Sequence, residues 1–244
     1  MNFYFKNTAH LGNLGLDFHN HILPGIDDGA VDLEEAHKIR IALKHRGIDY
    51  CVYTPHIYTE IHPNTKQTIK DTFDLLMSNI NYHNEFGDDR YAAEYMLDTD
   101  FAEMVNENQT LLSIKGKQVL IEFSITQKPI IAEETIYKLL LKGYIPIIAH
   151  PERYMYLQTN HEYAFDYTKL KEMGCEFQLN LLSLNGQYGK SVKDFAVNLL
   201  NKEMYDYAST DIHNTYQIPT IDTLLKTMIW KKWCKYPFKN HELI

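Results

Sequence analysis

The strongest constraint on how this chain folds is its regular alternation of short apolar segments with amphipathic helical segments. Seven segments have the length and composition of buried strands, and a loop and a helical segment follow each of them: residues 16–18, 50–53, 94–97, 119–123, 145–149, 176–179 and 205–208. Strands that alternate with helices form mainly parallel sheets. The sequence therefore predicts an α/β protein.

Two architectures accommodate seven such units. The first is a distorted (β/α)7 TIM-like barrel, and a chain of 244 residues has the size of one barrel. The alternative is a doubly wound open sheet, but no glycine-rich nucleotide-binding motif follows any of the strands. Because no Pro-, Gly- or Ser-rich linker divides the chain, we expect a single domain over residues 1–244, with a motif-bearing core at about 15–215 and a C-terminal helix at about 220–233.

Several helical segments carry recognisable ends. Asp32 and Glu35 have the spacing of a capping box, and the apolar periodicity that follows them stops at Gly47. Similar patterns predict helices at 132–142 and 191–201, a weaker helical stretch at 64–86, and a last helix that Thr220 caps, with Ile221, Leu224, Leu225, Met228 and Ile229 facing inward.

Histidines and carboxylates lie at the end of almost every predicted strand. The carboxyl ends of parallel strands meet on one rim of a barrel, which is where active sites form. Imidazole and carboxylate groups together suit Zn, Mn, Fe or similar ions. The candidate metal ligands are His19, His21, Asp28, His56, Glu94, Glu122, His150, Asp211 and His213.

The number of candidate ligands indicates more than one ion. One ion needs three or four protein ligands, so nine suffice for two or three. A single buried histidine is more often a structural, hydrogen-bonded residue, and Asp27 and Asp28 between glycines are by themselves a turn. A carboxylate on an apolar strand, as at Glu122, is harder to explain without a partner. The joint placement at the strand ends is what predicts a metal site.

Other functional classes find little support. A cysteine-dependent tyrosine phosphatase needs an Arg six residues after its Cys, and none follows Cys51, Cys175 or Cys234 at that distance. No G-x-S-x-G motif indicates an acyl hydrolase. The formal charge of −8 argues against a nucleic-acid partner.

The sequence also predicts a compartment. Residues 1–10 are not followed by the apolar region of a signal peptide, and no apolar run approaches the roughly 18 residues of a membrane span. Three cysteines are too few for a disulfide framework. We therefore expect a cytoplasmic protein without membrane insertion.

Six motifs together resemble one known superfamily. They are DFHNHILPGIDDG at residues 17–29, TPH at 54–56, AEY at 93–95, IEF at 121–123, AHPERY at 149–154 and DIHN at 211–214. They resemble the PHP (polymerase and histidinol phosphatase) superfamily, and the first is most similar to its branch of capsule-type, metal-dependent bacterial tyrosine-protein phosphatases.

The resemblance implies a distorted barrel that holds three divalent ions, most often Mn²⁺, with Fe, Zn, Mg or Co as alternatives. The nine candidate ligands match the metal positions of the family, and Arg153 matches its phosphate-contacting Arg. The implied substrate is phosphotyrosine in the tail of a bacterial tyrosine kinase that controls polysaccharide synthesis and export. Some members carry a second Arg after the Asp-x-His motif, whereas residues 214–219 contain none here, so phosphate binding would depend on the ions and Arg153, with help from lysines.

The leading hypothesis is thus a phosphotyrosine phosphatase that uses a metal-bound hydroxide. Glu122 is a candidate bridging ligand, and His56 or His213 could serve as general acid instead of ligand. A metal-dependent phosphatase of histidinol phosphate or a sugar phosphate is the main alternative. A degenerate metal-binding scaffold and a hydrolase of amides or cyclic ureas are weaker ones, since the ligand set is intact and no Lys stands at a strand end.

Overall fold

The computed structural model describes residues 10–158 and 167–244. The described chain contains nine strands, which are β1 (Gly15–Asp17), β2 (Ile48–Tyr53), β3 (His56–Ile57), β4 (Arg90–Tyr91), β5 (Glu94–Met96), β6 (Gln118–Glu122), β7 (Ile145–Ala149), β8 (Glu176–Asn180) and β9 (Tyr207–Ser209). All seven predicted strands are confirmed, with ends that shift by up to two residues. The two additional strands, β3 and β4, are only two residues long.

Nine α-helices lie in the same described ranges. They are α1 (Leu33–His45), α2 (Lys66–Ser78), α3 (Ile80–Phe86), α4 (Thr99–Asn106), α5 (Ala132–Leu141), α6 (Tyr167–Met173), α7 (Lys190–Asn201), α8 (Ile218–Lys226) and α9 (Met228–Trp233). Short 3₁₀ helices follow several strands, including Pro151–Arg153 after β7, Leu181–Asn185 after β8 and Thr215–Gln217 after β9.

The nine strands form a parallel barrel of seven units. β2 and β3 together make one unit with a break in it, and so do β4 and β5. One sheet has the order β1-β2-β4 and the other the order β3-β5-β6-β7-β8-β9, and every pairing is parallel. Pro55, which has no N–H, separates β2 from β3. The ring closes between β1 and β9 through a parallel bridge from Asn20 to Ile212 and a hydrogen bond from the Asp211 N–H to the His19 carbonyl. This closure favours the barrel over the open sheet.

Two predicted helices are each two helices in the structure. The stretch at 64–86 breaks at Asn79, whose extended backbone and side chain cap α3. The predicted helix at 220–233 breaks at Thr227, which caps α9 with its side chain, so Thr220 lies inside α8 rather than at its start. Met228 is consequently 77% exposed and does not face the core. In both cases a side-chain cap replaces a helical turn that periodicity alone would continue.

The cap of α1 was predicted only in part. Asp32 accepts a hydrogen bond from the Glu35 N–H, as the capping-box spacing requires. The Glu35 carboxylate, however, accepts from the Thr215 N–H at 2.8 Å instead of returning to Asp32. It therefore ties α1 to the loop that follows β9.

Alternation along the strands separates two apolar layers. Val119, Ile121 and Phe123 belong to the layer between the strands and the helices, whereas Leu120 belongs to the barrel interior. Side chains two residues apart share a face, so Glu122 continues the row of Leu120 at the carboxyl end of β6. The larger layer draws on segments from both ends of the described chain, which favours the single domain that the sequence predicts.

A buried ion pair supports the outer layer. Arg40 on α1 is fully buried, and its guanidinium donates to both carboxylate oxygens of Asp89 at 2.6 and 3.0 Å. Asp89 also accepts from the Cys51 N–H and the Tyr53 hydroxyl.

No described helix is long and apolar enough to span a membrane.

Candidate metal centre

The structure brings all nine predicted ligands together at the carboxyl end of the barrel. Four groups of His, Asp and Glu residues have ligand atoms that lie within 4.8 Å of one another. Because neighbouring groups share His19, His21, His56 or Glu94, the four groups form one continuous cluster. The groups are His21–Asp28–His56–His213, His19–His21–Asp211, His19–Glu94–His150 and His56–Glu94–Glu122.

Unusual backbone conformations help to direct these side chains. His150 and Asp211 follow β7 and β9 in the left-handed region, with φ of 32° and 53°. Non-glycine residues rarely adopt this conformation, and it recurs at functional sites. In the loop after β1, a Cβ on Gly29 would overlap the carbonyl oxygen of His21, so glycine is required where that loop folds back.

Several ligand atoms face one another without making hydrogen bonds. The His19 Nε2 lies 3.1 Å from a Glu94 oxygen and 3.2 Å from an Asp211 oxygen, and the His21 Nε2 lies 3.3 Å from that Asp211 oxygen. Both imidazole nitrogens and both Glu94 oxygens are buried, with no hydrogen-bond partner among the described residues. Such orphaned polar atoms are costly unless a further group satisfies them.

The spacings match the edges of a coordination polyhedron. Atoms bound at about 2.1 Å to one ion lie about 3.0 Å apart in an octahedral site and about 3.4 Å apart in a tetrahedral one. The separations between the His19 and His21 nitrogens and the two carboxylates fall in this interval. The donor set and its orphaned atoms therefore fit divalent metal ions.

The pKa values of the cluster residues shift in the directions that these short distances between imidazoles and carboxylates require. Burial alone would raise the pKa of Glu94, but the nearby His19 and His56 outweigh it and hold that pKa well below its usual range. Burial likewise opposes protonation of His19, yet Glu94 and Asp211 raise the pKa of His19 to about 10. In the metal-free protein, protons on imidazoles thus balance the carboxylates, and metal ions would replace them.

Arg153 lies beside the cluster, and both line the same pocket. One guanidinium nitrogen donates to Asp211 at 2.9 Å, and the guanidinium lies 4.3 Å from the centre of the Tyr188 ring. The pocket has a volume of about 380 Å³, and its lining comprises Asp28, His56, Glu94, Glu122, His150, Arg153, Tyr188, Asp211, His213, Asn214 and Gln217. Within the described ranges no lysine lines this pocket, so the expected help from lysines is not seen there.

Sequence reasoning missed several residues of this site. Tyr188 packs on Arg153, and Asn180 donates to the Asp211 carboxylate that holds Arg153. Asp27, taken for part of a turn, accepts from the His21 Nδ1 at 2.8 Å. Asn180 is the last residue of β8. A site residue was predicted for each of the neighbouring strands β7 and β9, which lead to His150 and Asp211, but none for β8. A rule applied to every strand end would therefore have found it.

Other rings lie beside the cluster or behind it. His62 stacks its ring on that of His56, with ring centroids 5.1 Å apart. Tyr95 and Tyr154 are buried, and the Tyr154 hydroxyl donates to the Ala149 carbonyl. They therefore support the fold behind the site.

The three cysteines are expected to take no part in catalysis. All are free and buried, and burial raises the pKa of Cys175 to about 12. At pH 8 that leaves a thiolate fraction of about 10⁻⁴, against about 0.2 for a free cysteine. Iodoacetamide should therefore label the native protein at least about 100-fold more slowly than the urea-unfolded chain. Phosphatase activity that disappears at the rate of thiol labelling would contradict this expectation.

Comparisons with known proteins give one consistent result. A model of the family described as capsular polysaccharide synthesis, CpsB/CapC, matches residues 15–236. The chain is 32% identical over 205 residues to the tyrosine-protein phosphatase YwqE of Bacillus subtilis. This match covers 82% of this chain and 77% of YwqE. It is 26% identical over 226 residues to the tyrosine-protein phosphatase CpsB of Streptococcus pneumoniae, covering 89% and 90% of the two chains.

A solved structure agrees with these matches. It comes from a study of YwqE from Bacillus subtilis and CpsB from Streptococcus pneumoniae, which are described there as metal-dependent tyrosine phosphatases. The two folds superpose with a TM-score of 0.77 at 28% identity, over 92% of this chain and 89% of the other. The extent of the family match and the shared fold lead to one conclusion: this chain belongs to the CpsB/CapC family of capsular polysaccharide synthesis proteins.

Proposed function

We propose that this chain is a metal-dependent protein-tyrosine phosphatase. The observation that carries the proposal is the cluster of nine His, Asp and Glu residues, all buried or half-buried except the exposed Asp28, with orphaned ligand atoms beside the Arg153 guanidinium. Its relatives YwqE and CpsB are named tyrosine-protein phosphatases, and the shared fold extends over nearly the whole chain. Metal ions held by these residues, together with the Arg153 guanidinium, would supply the positive charge that suits a phosphate dianion.

The nine residues would hold the metal ions. We infer three ions, because the four groups share members and the carboxylates Asp28, Glu94, Glu122 and Asp211 can balance most of their charge. Mn²⁺ is the first candidate, since mixed imidazole and carboxylate ligands suit it, and Fe, Zn, Mg and Co are the others. When bound, such ions supply a water of lowered pKa as nucleophile and neutralise charge on the phosphoryl oxygens.

The chain itself orients the phosphate through Arg153. Its guanidinium is held by Asp211 on one side and by the Tyr188 ring on the other, so its remaining N–H groups can donate to phosphate oxygens. A donor fixed before the substrate arrives needs no reorganisation as negative charge develops in the transition state. Asn180 donates to the same Asp211 oxygen and stabilises this arrangement.

His56 or His213 could move a proton to the leaving group in place of binding an ion. Burial and the neighbouring His21 lower the pKa of His213, whereas the carboxylates of Glu94 and Glu122 outweigh these effects at His56 and raise its pKa. Both lie in the pocket lining. A phenolate with a pKa of about 10 leaves more readily than an alkoxide, so phosphotyrosine places the smaller demand on either residue.

We further propose a substrate protein and a compartment. The family is described by capsular polysaccharide synthesis, which supports the tail of a bacterial tyrosine kinase in that process as the substrate. Tyr216, which is 88% exposed, lies between the pocket residues Asn214 and Gln217, where it could contact a polypeptide around the phosphotyrosine. The three free cysteines suit the reducing cytoplasm.

Removal and return of metal test the activity. Dialysis against a chelator should abolish hydrolysis of a phosphotyrosine peptide, and Mn²⁺ should restore it, because the cluster would otherwise hold protons in place of ions. Metal content should be measured alongside by mass spectrometry. The same preparation is assayed with histidinol phosphate and sugar phosphates. A kcat/KM higher on one of these metabolites than on the peptide would favour the small-molecule alternative.

Replacement of Arg153 should separate charge from geometry. We expect Arg153→Ala to lower kcat/KM on the peptide by about 10²–10³-fold, as for the loss of one preorganised donor. Arg153→Lys should recover only part of this, because an ammonium cannot donate as a planar fork or stack flat on Tyr188. Arg46→Lys is the matched control, since Arg46 pairs with Asp222 outside the pocket. Activity of Arg153→Ala within threefold of wild type would remove Arg153 from the mechanism.

A further inference from the structure

Gln178 is a buried polar residue of the barrel interior that lies directly beneath the metal cluster. It occupies the middle of β8 and is fully buried. Its Oε1 lies 2.9 Å from the Nδ1 of His19 and 3.1 Å from the backbone nitrogen of His150. One side-chain oxygen thus contacts two of the candidate metal ligands, which follow β1 and β7.

The backbone contact determines which way the Gln178 amide points. A backbone N–H can only donate, so the atom facing the His150 nitrogen must be the amide oxygen. The Gln178 Nε2 is correspondingly directed at a carbonyl acceptor, that of Leu179. The contacts of the amide oxygen and of the amide nitrogen therefore indicate the same orientation of the Gln178 side chain.

This orientation determines the proton position on His19. Because the amide oxygen cannot donate, the Nδ1 of His19 must carry the proton in the contact with Gln178. In the neutral imidazole the lone pair is then on Nε2. That is the orphaned nitrogen that faces Glu94 and Asp211 at 3.1 and 3.2 Å, so the lone pair points at the place where an ion would lie.

The same oxygen also holds the backbone at His150. That residue is in the left-handed conformation with φ of 32°, which needs support from its surroundings. The hydrogen bond from its N–H to Gln178 fixes the turn from which the His150 ring reaches 3.3 Å from Glu94. One amide therefore orients ligands of the group His19–Glu94–His150 on two sides.

A neutral acceptor suits this position. His21 has a carboxylate, Asp27, as its Nδ1 acceptor, and four further carboxylates belong to the cluster itself. An amide at position 178 accepts the same hydrogen bond without adding another buried negative charge.

We propose that Gln178 is a positioning residue of the metal centre, which selects the metal-binding tautomer of His19 and fixes the turn at His150. This proposal rests on the proposed function, because it assigns Gln178 a role toward the ions of that same site. Residues that orient metal ligands in this way typically contribute about 10–100-fold to metal affinity.

The test is a direct measurement of metal affinity, with Zn²⁺ and Mn²⁺ in competition with a chromogenic chelator. We expect Gln178→Leu to weaken the tightest binding step by about 10–100-fold, since Leu fills similar space without an acceptor. Gln178→Glu retains an acceptor for both N–H groups and should bind metal more tightly than Gln178→Leu, although its added buried charge and the lost donor to Leu179 keep it below wild type. Gln118→Leu is the matched control, because Gln118 begins β6 at the opposite end of the barrel and bonds Tyr207 there.

A packing role would give the reverse order. If Gln178 only filled space, Gln178→Leu would bind metal like the wild type, and the buried charge of Gln178→Glu would be the harmful change. That outcome overturns the proposal while leaving the phosphatase assignment intact. A wild-type protein that binds neither ion would instead overturn the proposed function. Thermal unfolding in chelator shows whether each variant folds, and Gln178→Met replaces Gln178→Leu if the latter does not.

Discussion

The double variant His19→Ala/His21→Ala is expected to hydrolyse a phosphotyrosine peptide at least about 10³-fold more slowly than the wild type. These two histidines belong to three of the four ligand groups, so their loss removes nitrogen donors from most of the cluster. The remaining carboxylates Glu94 and Asp211 would also lose the imidazoles that face them. Both the activity and the bound metal should therefore disappear together.

The fold of this variant should survive, because both imidazoles lie at the carboxyl end of β1 and outside the two apolar layers. Circular dichroism and a cooperative thermal transition in chelator check this point. His45→Ala is the matched control, as His45 is an exposed histidine in the last turn of α1. Retention of activity by the folded double variant would show that the reaction takes place elsewhere.

The second large effect is on stability rather than activity. Asp89→Ala is expected to lower the free energy of unfolding by about 3–5 kcal/mol, as for a buried ion pair that loses one partner. The Arg40 guanidinium would stay buried with its charge uncompensated, and the Cys51 N–H and Tyr53 hydroxyl would lose their acceptor. For a chain of this length the loss corresponds to a drop in Tm of about 6–20 °C.

An exposed pair of the same type provides the comparison. Lys70 and Asp74 on α2 pair across one helical turn, with side chains 50% and 55% exposed. Asp74→Ala should leave the free energy of unfolding almost unchanged, because solvent screens the pair. Urea titration of both variants, in chelator so that metal binding does not contribute, measures the contrast. Similar losses in the two variants would refute a special contribution from Asp89.

The strands and the ligand types were predictable because their signals are local. Runs such as Ile145–Ala149 are apolar and bounded by turns, and buried parallel strands have this pattern. Glu122 and His150 stand out because polar side chains at the end of apolar strands need a reason to be there. The nine candidates were therefore found without knowledge of any contact between them, and the structure places them in one cluster.

The errors arose where a tertiary contact outweighs a local preference. Helical periodicity continues through Asn79 and Thr227, yet each of these side chains caps a new helix that turns in another direction. Glu35 completes no capping box because a backbone N–H from the loop after β9 reaches it first. Arg40 pairs with Asp89 in the core, a contact between residues 49 positions apart that no local pattern indicates.

The sequence by itself determined the kind of architecture and the chemistry of the site, since apolar periodicity and the placement of histidines and carboxylates are properties of neighbouring residues. Tertiary structure alone decided which atoms of those residues face one another. Gln178 and His19 are 159 positions apart, and closure of the barrel is what brings the amide oxygen to the imidazole. A ligand's proton position and the orientation of Arg153 depend on such distant partners, which no local pattern encodes.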